Sequence, residues 1–327
     1  MPLWRRTTTE EPATPEHVLM CNPVYFRIVS IDNPGMDTDT QPDLEIAQMQ
    51  WATIHNLYTK LGLRVSVVPP HPERQDMVFT ANGAWGRKRQ DTGESEYILS
   101  NFRHPSRVRE KEHFRRALNT YGYKTFELPE HVPFEGQGDI VTTNKAYLFG
   151  NGIRSSSEAV DYVRRMLELD KPVLPVKLVD PRFYHLDTCC MSLRGTKEDA
   201  LMYVPEAFDE ESLEVVRELD VSNKLEISAR SALAEAMPCN SVFVDDIVLL
   251  NVPFEHYSDE AFSLSEAGEF LTDAHTDVRY KEILRTCEDY IDVMRFLWEM
   301  GYEIIPVYTS EFKKSGGGVR CLTLFLD

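Results

Sequence analysis

The chain of 327 residues has no apolar run near the roughly 18 residues of a membrane span, which excludes a simple transmembrane helix. It has no clustered block of Lys and Arg, and its formal net charge is −18. Nucleic acid is therefore not an expected partner, because phosphate binding needs grouped cations. Six cysteines (Cys21, Cys189, Cys190, Cys239, Cys287 and Cys321) include no CxxC pair and no zinc-type spacing, so reduced thiols and no metal are expected. The opening "MPLWRRTTTEEPATPEH" lacks an apolar h-region and holds too many acids for a transit peptide. Residues 1–17 read as a disordered tail, and cytoplasmic residence is the default expectation. No repeat is visible at the level of residue identity. The acidic segment 253–286 has weak periodicity and reads as an insertion or a lid.

What is present is ordinary for a globular protein: 42% hydrophobic and 27% charged residues, on a length suited to one large or two ordinary domains. The excess of acid would favour a small cationic ligand. Apolar stretches rich in β-branched and aromatic residues predict strands at 24–31, 63–70, 76–82, 96–102, 124–129, 145–151, 190–195, 200–205, 240–252, 302–308 and 320–326. Amphipathic windows predict helices at 43–62, 157–170, 209–220 and 288–301. The first repeats Leu44, Met49, Ile54, Leu57 and Leu61 at helical spacing. Trp298 and Met300 on the last suit a core or an interface alike, so no oligomeric state follows. The alternation is that of an α/β protein built from ββα-sized units of about 50 to 60 residues, as in an internally repeated architecture.

Four stretches put polar residues where a plain strand or turn has no use for them. In "FEGQGDI", Glu135 and Asp139 flank a turn bracketed by two glycines, which allows close approach of backbone to a ligand; a surface turn with solvated acids reads the same way. In "FYHLDT", His185 and Asp187 would share one face of a strand, so imidazole and carboxylate would enter one space. A hydrogen-bonded structural histidine fits those letters too. "VFTANGAW" ends an apolar run in Asn82 and Gly83, the pattern of a strand and its turn. Finally, Cys321 follows Gly316, Gly317 and Gly318, a flexible loop running into an apolar strand. A lone cysteine is usually a small buried hydrophobe, but a thiol near His and acids is a candidate nucleophile.

Taken together, these stretches resemble the guanidine-modifying enzymes of the pentein fold: arginine deiminases, dimethylarginine dimethylaminohydrolases, arginine dihydrolases and amidinotransferases. The matching pieces are "MCNPVYFRIVSIDNPGM" (20–36), "MVFTANGAW" (77–85), "FEGQGD" (134–139), "GNGIRSS" (150–156), "FYHLDTCCMSL" (183–193) and "GGGVRCLTLFL" (316–326). They occur in family order and cover residues 18–327, which would form a single catalytic domain. The resemblance implies an α/β propeller of five pseudosymmetric ββαβ units around a polar channel. It puts the nucleophile at Cys321, the general acid/base at His185, and carboxylates that grip a guanidinium at Glu135 and Asp187. Asp139 would line the same site. Arg154, and with it Arg107 in "HPSRVREKE", would meet a substrate carboxylate.

Arginine deiminases carry Asp where this chain has Asn82, and the asparagine, with Asn33 in "DNPGM", looks most like the arginine dihydrolase branch. A neutral amide can donate to the carbonyl of a ureido group, whereas Asp can only hold the cationic guanidinium. "TCCMSL" after His185 departs from the "TCFCPL"-like run of dihydrolases, and Cys189 and Cys190 read as packing or turn residues. The implied reaction is attack of Cys321 on the guanidinium carbon of L-arginine, with a covalent thiouronium, ending in ornithine, carbon dioxide and two ammonia. It needs no metal or organic cofactor. The alternatives are a single hydrolysis giving citrulline, by deiminase or dimethylaminohydrolase chemistry, then amidino transfer, then an inert pentein scaffold.

Overall fold

Each of five three-stranded sheets repeats one pattern: an inner strand antiparallel to a middle strand, which pairs parallel with an outer strand. The structure is a computed structural model that describes residues 16–89, 91–194, 199–229, 237–252 and 290–326. The expected tail, apart from residues 16 and 17, and the expected lid at 253–286 lie outside the described residues.

Strand β1 (His17–Cys21), helix α1 (Leu44–Lys60) and strand β2 (Arg64–Val68) make most of the first unit. The second comprises β3 (Ala84–Lys88), β4 (Ser95–Leu99), α2 (Lys111–Thr120) and β5 (Lys124–Glu127). The third has β6 (Ile140–Thr142), β7 (Tyr147–Asn151), α3 (Ala159–Met166) and β8 (Val173–Lys177). The fourth has β9 (Cys190–Leu193), β10 (Ala200–Tyr203), α4 (Glu210–Glu218) and β11 (Asn223–Glu226). In the fifth, β12 (Val242–Val244) and β13 (Ile247–Asn251) precede α5 (Tyr290–Glu299) and β14 (Glu303–Val307). A short helix α6 (Ser310–Lys313) then leads to β15 (Leu324–Leu326), the inner strand of the first sheet, paired to β1. Parallel pairing requires a crossover, and a helix supplies it in each unit.

A short 3₁₀ turn precedes each of four inner strands: Thr80–Gly83, Gly136–Asp139, Leu186–Thr188 and Pro238–Asn240. The stretch carrying Cys321 occupies the same place before β15. Successive turns touch, and the first touches β15, so the five units close around an axis as the resemblance implied. Closure is cemented by buried polar contacts: the Thr80 hydroxyl donates to the carbonyls of Leu19 and Leu322, both at 2.9 Å.

Local physics accounts for most elements. Helix α1 starts where the Asp43 carboxylate accepts from the amides of Glu45 and Ile46, and Gly62 follows its end at φ 87°. Its buried face is Ala47, Trp51, Ile54, Leu57 and Tyr58, whereas Met49 of the expected stripe is 67% exposed. Ile54 packs among residues of the first and fifth units, so truncating it to Ala would cost about 2–5 kcal/mol. The strand expected at 24–31 is absent. Pro23–Tyr25 forms a 3₁₀ turn, and Val29 and Ile31 are 60% and 61% exposed. The buried strand is instead β1, whose five residues are all covered and which pairs on both edges. The run 76–82 is likewise turn rather than strand. No helix among the described residues is long and apolar enough to cross a membrane.

Candidate active site

The inner turns bring Glu135 to His185 and Cys321 to Asp187, across 50 and 134 residues of chain, and all four are buried. Glu135 Oε2 lies 2.7 Å from His185 Nε2 and 3.2 Å from Arg154 Nη1, while Oε1 accepts from the Arg103 amide at 3.0 Å. Burial pushes the Glu135 carboxyl up, but the cations Arg154, His185 and Arg107 outweigh it and hold the group well below the usual carboxylate range. An ionised carboxylate only accepts, so His185 Nε2 carries the proton of that bond. The other ring nitrogen, Nδ1, is buried with no hydrogen-bond partner among the described residues.

The His-x-Asp pair is not on a strand. His185 is extended at φ −121° and ψ 153°, and Leu186–Thr188 turns away from it. The two side chains therefore part company: the imidazole meets Glu135, and the Asp187 carboxylate faces Cys321, with Oδ2 at 3.7 Å from Sγ. Burial, resisted by Arg320, pushes the Asp187 carboxyl up to about 7. Burial and then the Asp187 charge raise the Cys321 thiol far above its ordinary value, with Asn240 and Arg320 in opposition. Both effects favour the neutral thiol.

The three-glycine loop is packed and hydrogen-bonded rather than open to solvent. Ser315–Val319 are buried, Asn33 Nδ2 donates to the Ser315 carbonyl at 3.0 Å, and the Tyr184 hydroxyl donates to the Gly316 carbonyl at 2.7 Å. Gly316 takes φ +82°, and a side chain at Gly317 would enter the Phe79 ring. The glycines are there because the loop is crowded, and crowding aims the thiol.

Asn82 and Arg107 form a second group. Arg107 donates from Nη1 to Asn82 Oδ1 at 2.9 Å, and its remaining donors meet Glu110 and the carbonyls of Asp76 and Phe79. A guanidinium has no acceptor, so the amide oxygen of Asn82 must face it. The amide nitrogen then points the other way, buried and unpartnered among the described residues. A Cβ on Gly138 would run into that nitrogen and lie 3.2 Å from the His185 ring, so the bare backbone of Gly138 separates the two groups. Asp139 accepts from the Ser155 hydroxyl at 2.5 Å and from the Leu186 amide at 3.2 Å, and so braces the turn that carries Asp187. Arg154 also donates to the Asp32 carbonyl at 2.7 Å and lies over the Tyr184 ring. Cys189 and Cys190 are buried among apolar neighbours, with the Cys190 thiol pushed up to about 12 by burial.

Asn240 did not stand out in the sequence. Its Nδ2 donates to Cys321 Sγ at 3.1 Å, and its Oδ1 accepts from the amides of Gly318 and Cys321 at 3.0 and 3.3 Å. One side chain therefore holds both the thiol and the backbone that delivers it. Asn251 steadies it by donating to the Asn240 carbonyl at 2.5 Å. A signal was available: Asn82, Asp139, Asp187, Asn240 and Cys321 each lie one to three residues before an inner strand.

A family model for eukaryotic N,N-dimethylarginine dimethylhydrolases matches residues 31–251. The chain is 33% identical over 305 residues to the N(G),N(G)-dimethylarginine dimethylaminohydrolase of Mycobacterium tuberculosis, spanning 93% of this chain and 84% of that protein. It is 30% identical over 310 residues to the bifunctional arginine dihydrolase/ornithine cyclodeaminase ArgZ of Synechocystis sp., 94% of this chain but 37% of that longer protein. The substrate-bound N-terminal domain of ArgZ superposes with a TM-score of 0.73 at 28% identity, covering 94% of this chain and 97% of the domain.

Proposed function

The chain belongs to the N,N-dimethylarginine dimethylhydrolase family of pentein-fold, guanidine-modifying enzymes, and on that premise we propose that it hydrolyses the guanidinium of L-arginine twice, to ornithine, carbon dioxide and two ammonia. The guanidinium enters between Asp187 and Glu135, and its charge lets Cys321 ionise. Arg154 uses two of its five N–H donors in the bonds above and offers the others to the substrate's carboxylate. Asn33 and Tyr184 hold the Cys321 loop, while Asp139 and Arg107 position the turn residues.

The Cys321 thiolate bonds to the guanidinium carbon, and ammonia leaves with a proton delivered by His185. The resulting S-alkylthiouronium is attacked by water, which gives its proton to His185, and the C–S bond breaks to restore the thiolate and release a ureido group. A second attack expels the remaining terminal nitrogen as ammonia and leaves a thiocarbamate. Water cleaves that to a carbamic acid, which loses carbon dioxide. A cationic thiouronium beside two acids needs no further charge, and a thiol, an imidazole and two carboxylates suffice.

The observation that carries the second round is the orientation of Asn82. Arg107 takes its oxygen, so its buried N–H groups point away from Arg107 toward the bare backbone of Gly138, which lies against the His185 ring. A ureido oxygen reaching past that glycine would take these donors and be retained. Incubation with guanidino-labelled L-arginine should give ornithine and two ammonia per turnover without accumulating citrulline, and Asn82→Asp should release citrulline instead. Citrulline as the end product of the unaltered enzyme would refute the second hydrolysis and leave deiminase chemistry. Turnover of methylated arginines alone would leave the dimethylaminohydrolase reaction.

A further inference from the structure

Tyr184 stands one residue before His185, and its side chain touches two separate parts of the site. Its hydroxyl donates to the Gly316 carbonyl at 2.7 Å, on the loop that leads to Cys321. Its ring lies against the Arg154 guanidinium, with Cζ 4.9 Å from the ring centroid. The residue is 8% exposed, so both contacts are largely shielded from water.

Glu135 and the Asp32 carbonyl hold Arg154 by its edge, at 3.2 and 2.7 Å, and the Tyr184 ring holds its face. A planar guanidinium gripped at edge and face has a fixed plane, and its remaining N–H donors a fixed direction. On the loop, Asn33 takes the Ser315 carbonyl at 3.0 Å and Tyr184 takes the next one. A Cβ at Gly316 would lie 2.8 Å from the Tyr184 oxygen and 2.9 Å from Asn33 Oδ1, so a side chain there would part the loop from both. A carbonyl only accepts, so the phenol must donate. Burial, and then the nearby Cys321, push the phenol far above its ordinary value and keep that proton in place.

We propose that Tyr184 is a positioning residue that sets the spacing between Arg154 and the Cys321 loop, and so selects substrates whose carboxylate and guanidinium stand as far apart as in L-arginine. No rotatable bond separates the ring face from the phenol oxygen, so Arg154 and the loop cannot shift independently of each other. A misplacement of about 1 Å at either end is enough to slow attack on the guanidinium carbon. The inference rests on the roles proposed for Arg154 and Cys321, but not on the number of hydrolyses. Agmatine, which is arginine without its carboxylate, gains nothing from the placement of Arg154 and should be indifferent to the ring.

Steady-state rates with L-arginine and agmatine test this on the unaltered full chain, Tyr184→Phe and Tyr184→Leu. Calorimetry with the same two ligands, on Cys321→Ser with and without each Tyr184 substitution, repeats the comparison where no bond breaks. The unaltered chain should prefer L-arginine. Tyr184→Phe keeps the ring and should lower kcat for both substrates by about two- to tenfold, with KM for L-arginine retained. Tyr184→Leu should also shrink the preference for L-arginine by about three- to tenfold, through KM and, in calorimetry, through Kd for L-arginine alone. Tyr184→Met takes its place should that variant fail to fold. An unchanged preference in the folded variant, or a normal kcat in Tyr184→Phe, would overturn the inference and leave the proposed function standing. Binding of L-arginine without turnover by the unaltered chain would sink the proposed function alone, and the calorimetric preference would then support or overturn the role of the ring. No binding of L-arginine would overturn both.

Discussion

The two halves of the candidate site differ in their resting charge. On one side Glu135 is ionised and saturated: Arg154, His185 and a backbone amide all meet its oxygens. On the other, Cys321 and Asp187 are both pushed toward their neutral forms, with Asn240 donating a hydrogen bond to the sulfur. Burying a charge is costly, and in the second half Arg320 and Asn240 do not outweigh that cost. The first half is preorganised. In the proposed reaction the second is completed by a cationic substrate, which would tie ionisation of Cys321 to occupancy.

This contrast can be broken at its ends. Replacing the nucleophile with Cys321→Ser should lower turnover on the order of 10⁴-fold or more while retaining L-arginine binding, measured by calorimetry beside steady-state rates. Glu135→Gln keeps the shape of the charged half and removes its charge. It should reduce kcat by about 10²- to 10³-fold, because His185 loses the partner that fixes its tautomer. A normal kcat in that variant would show that the preformed pair is only structural.

Acidity separates the halves next. Asp187 must ionise to hold a guanidinium, so kcat/KM should rise by up to about tenfold per pH unit below about 7 and level off above it. Asp187→Asn should remove that limb along with most of the affinity. A smaller effect is expected from Asn240→Ala, which removes a neutral hydrogen bond to sulfur. A loss of about 1 kcal/mol, or fivefold in kcat/KM, should accompany an upward shift in the pH dependence of thiol alkylation. Stability gives the finest distinction. Burial raises both Asp187, to about 7, and Asp139, to about 6, so the folded state holds protons that the unfolded chain has already released. Stability should therefore fall as pH rises from the ordinary aspartate value through about 7, and saturating L-arginine should flatten the slope in thermal denaturation.

Much of the fold was legible from local signals. Helix α1 follows its Asp43 cap and Gly62 stop, and β4, β7, β10 and β14 coincide with β-branched and aromatic runs bounded by breakers. The inner strands β3 and β6 were not legible, β3 because it ends in Gly86, Arg87 and Lys88 and β6 because it is three residues long, and residues 24–31 imitate a strand in composition alone. What separates 24–31 from β1 is burial on both edges, a property of pairing partners 47 or more residues away. Local composition does not carry that information.

By itself, the sequence determined the inventory of the site: a thiol, an imidazole, two acids and an asparagine in family order, on an α/β chain. Tertiary structure alone decided the pairings. His185 meets Glu135 rather than its neighbour in sequence, Asp187 faces the thiol, Asn240 donates to the same thiol, and Arg107 turns the Asn82 amide. The first three pairings join different turns of a closed ring, and the last joins the Thr80–Gly83 turn to the segment before α2 in the same unit. The geometry of the site is therefore set largely by how five units pack about an axis, and identical letters on an open chain would leave these groups in water, with ordinary acidities and no common target.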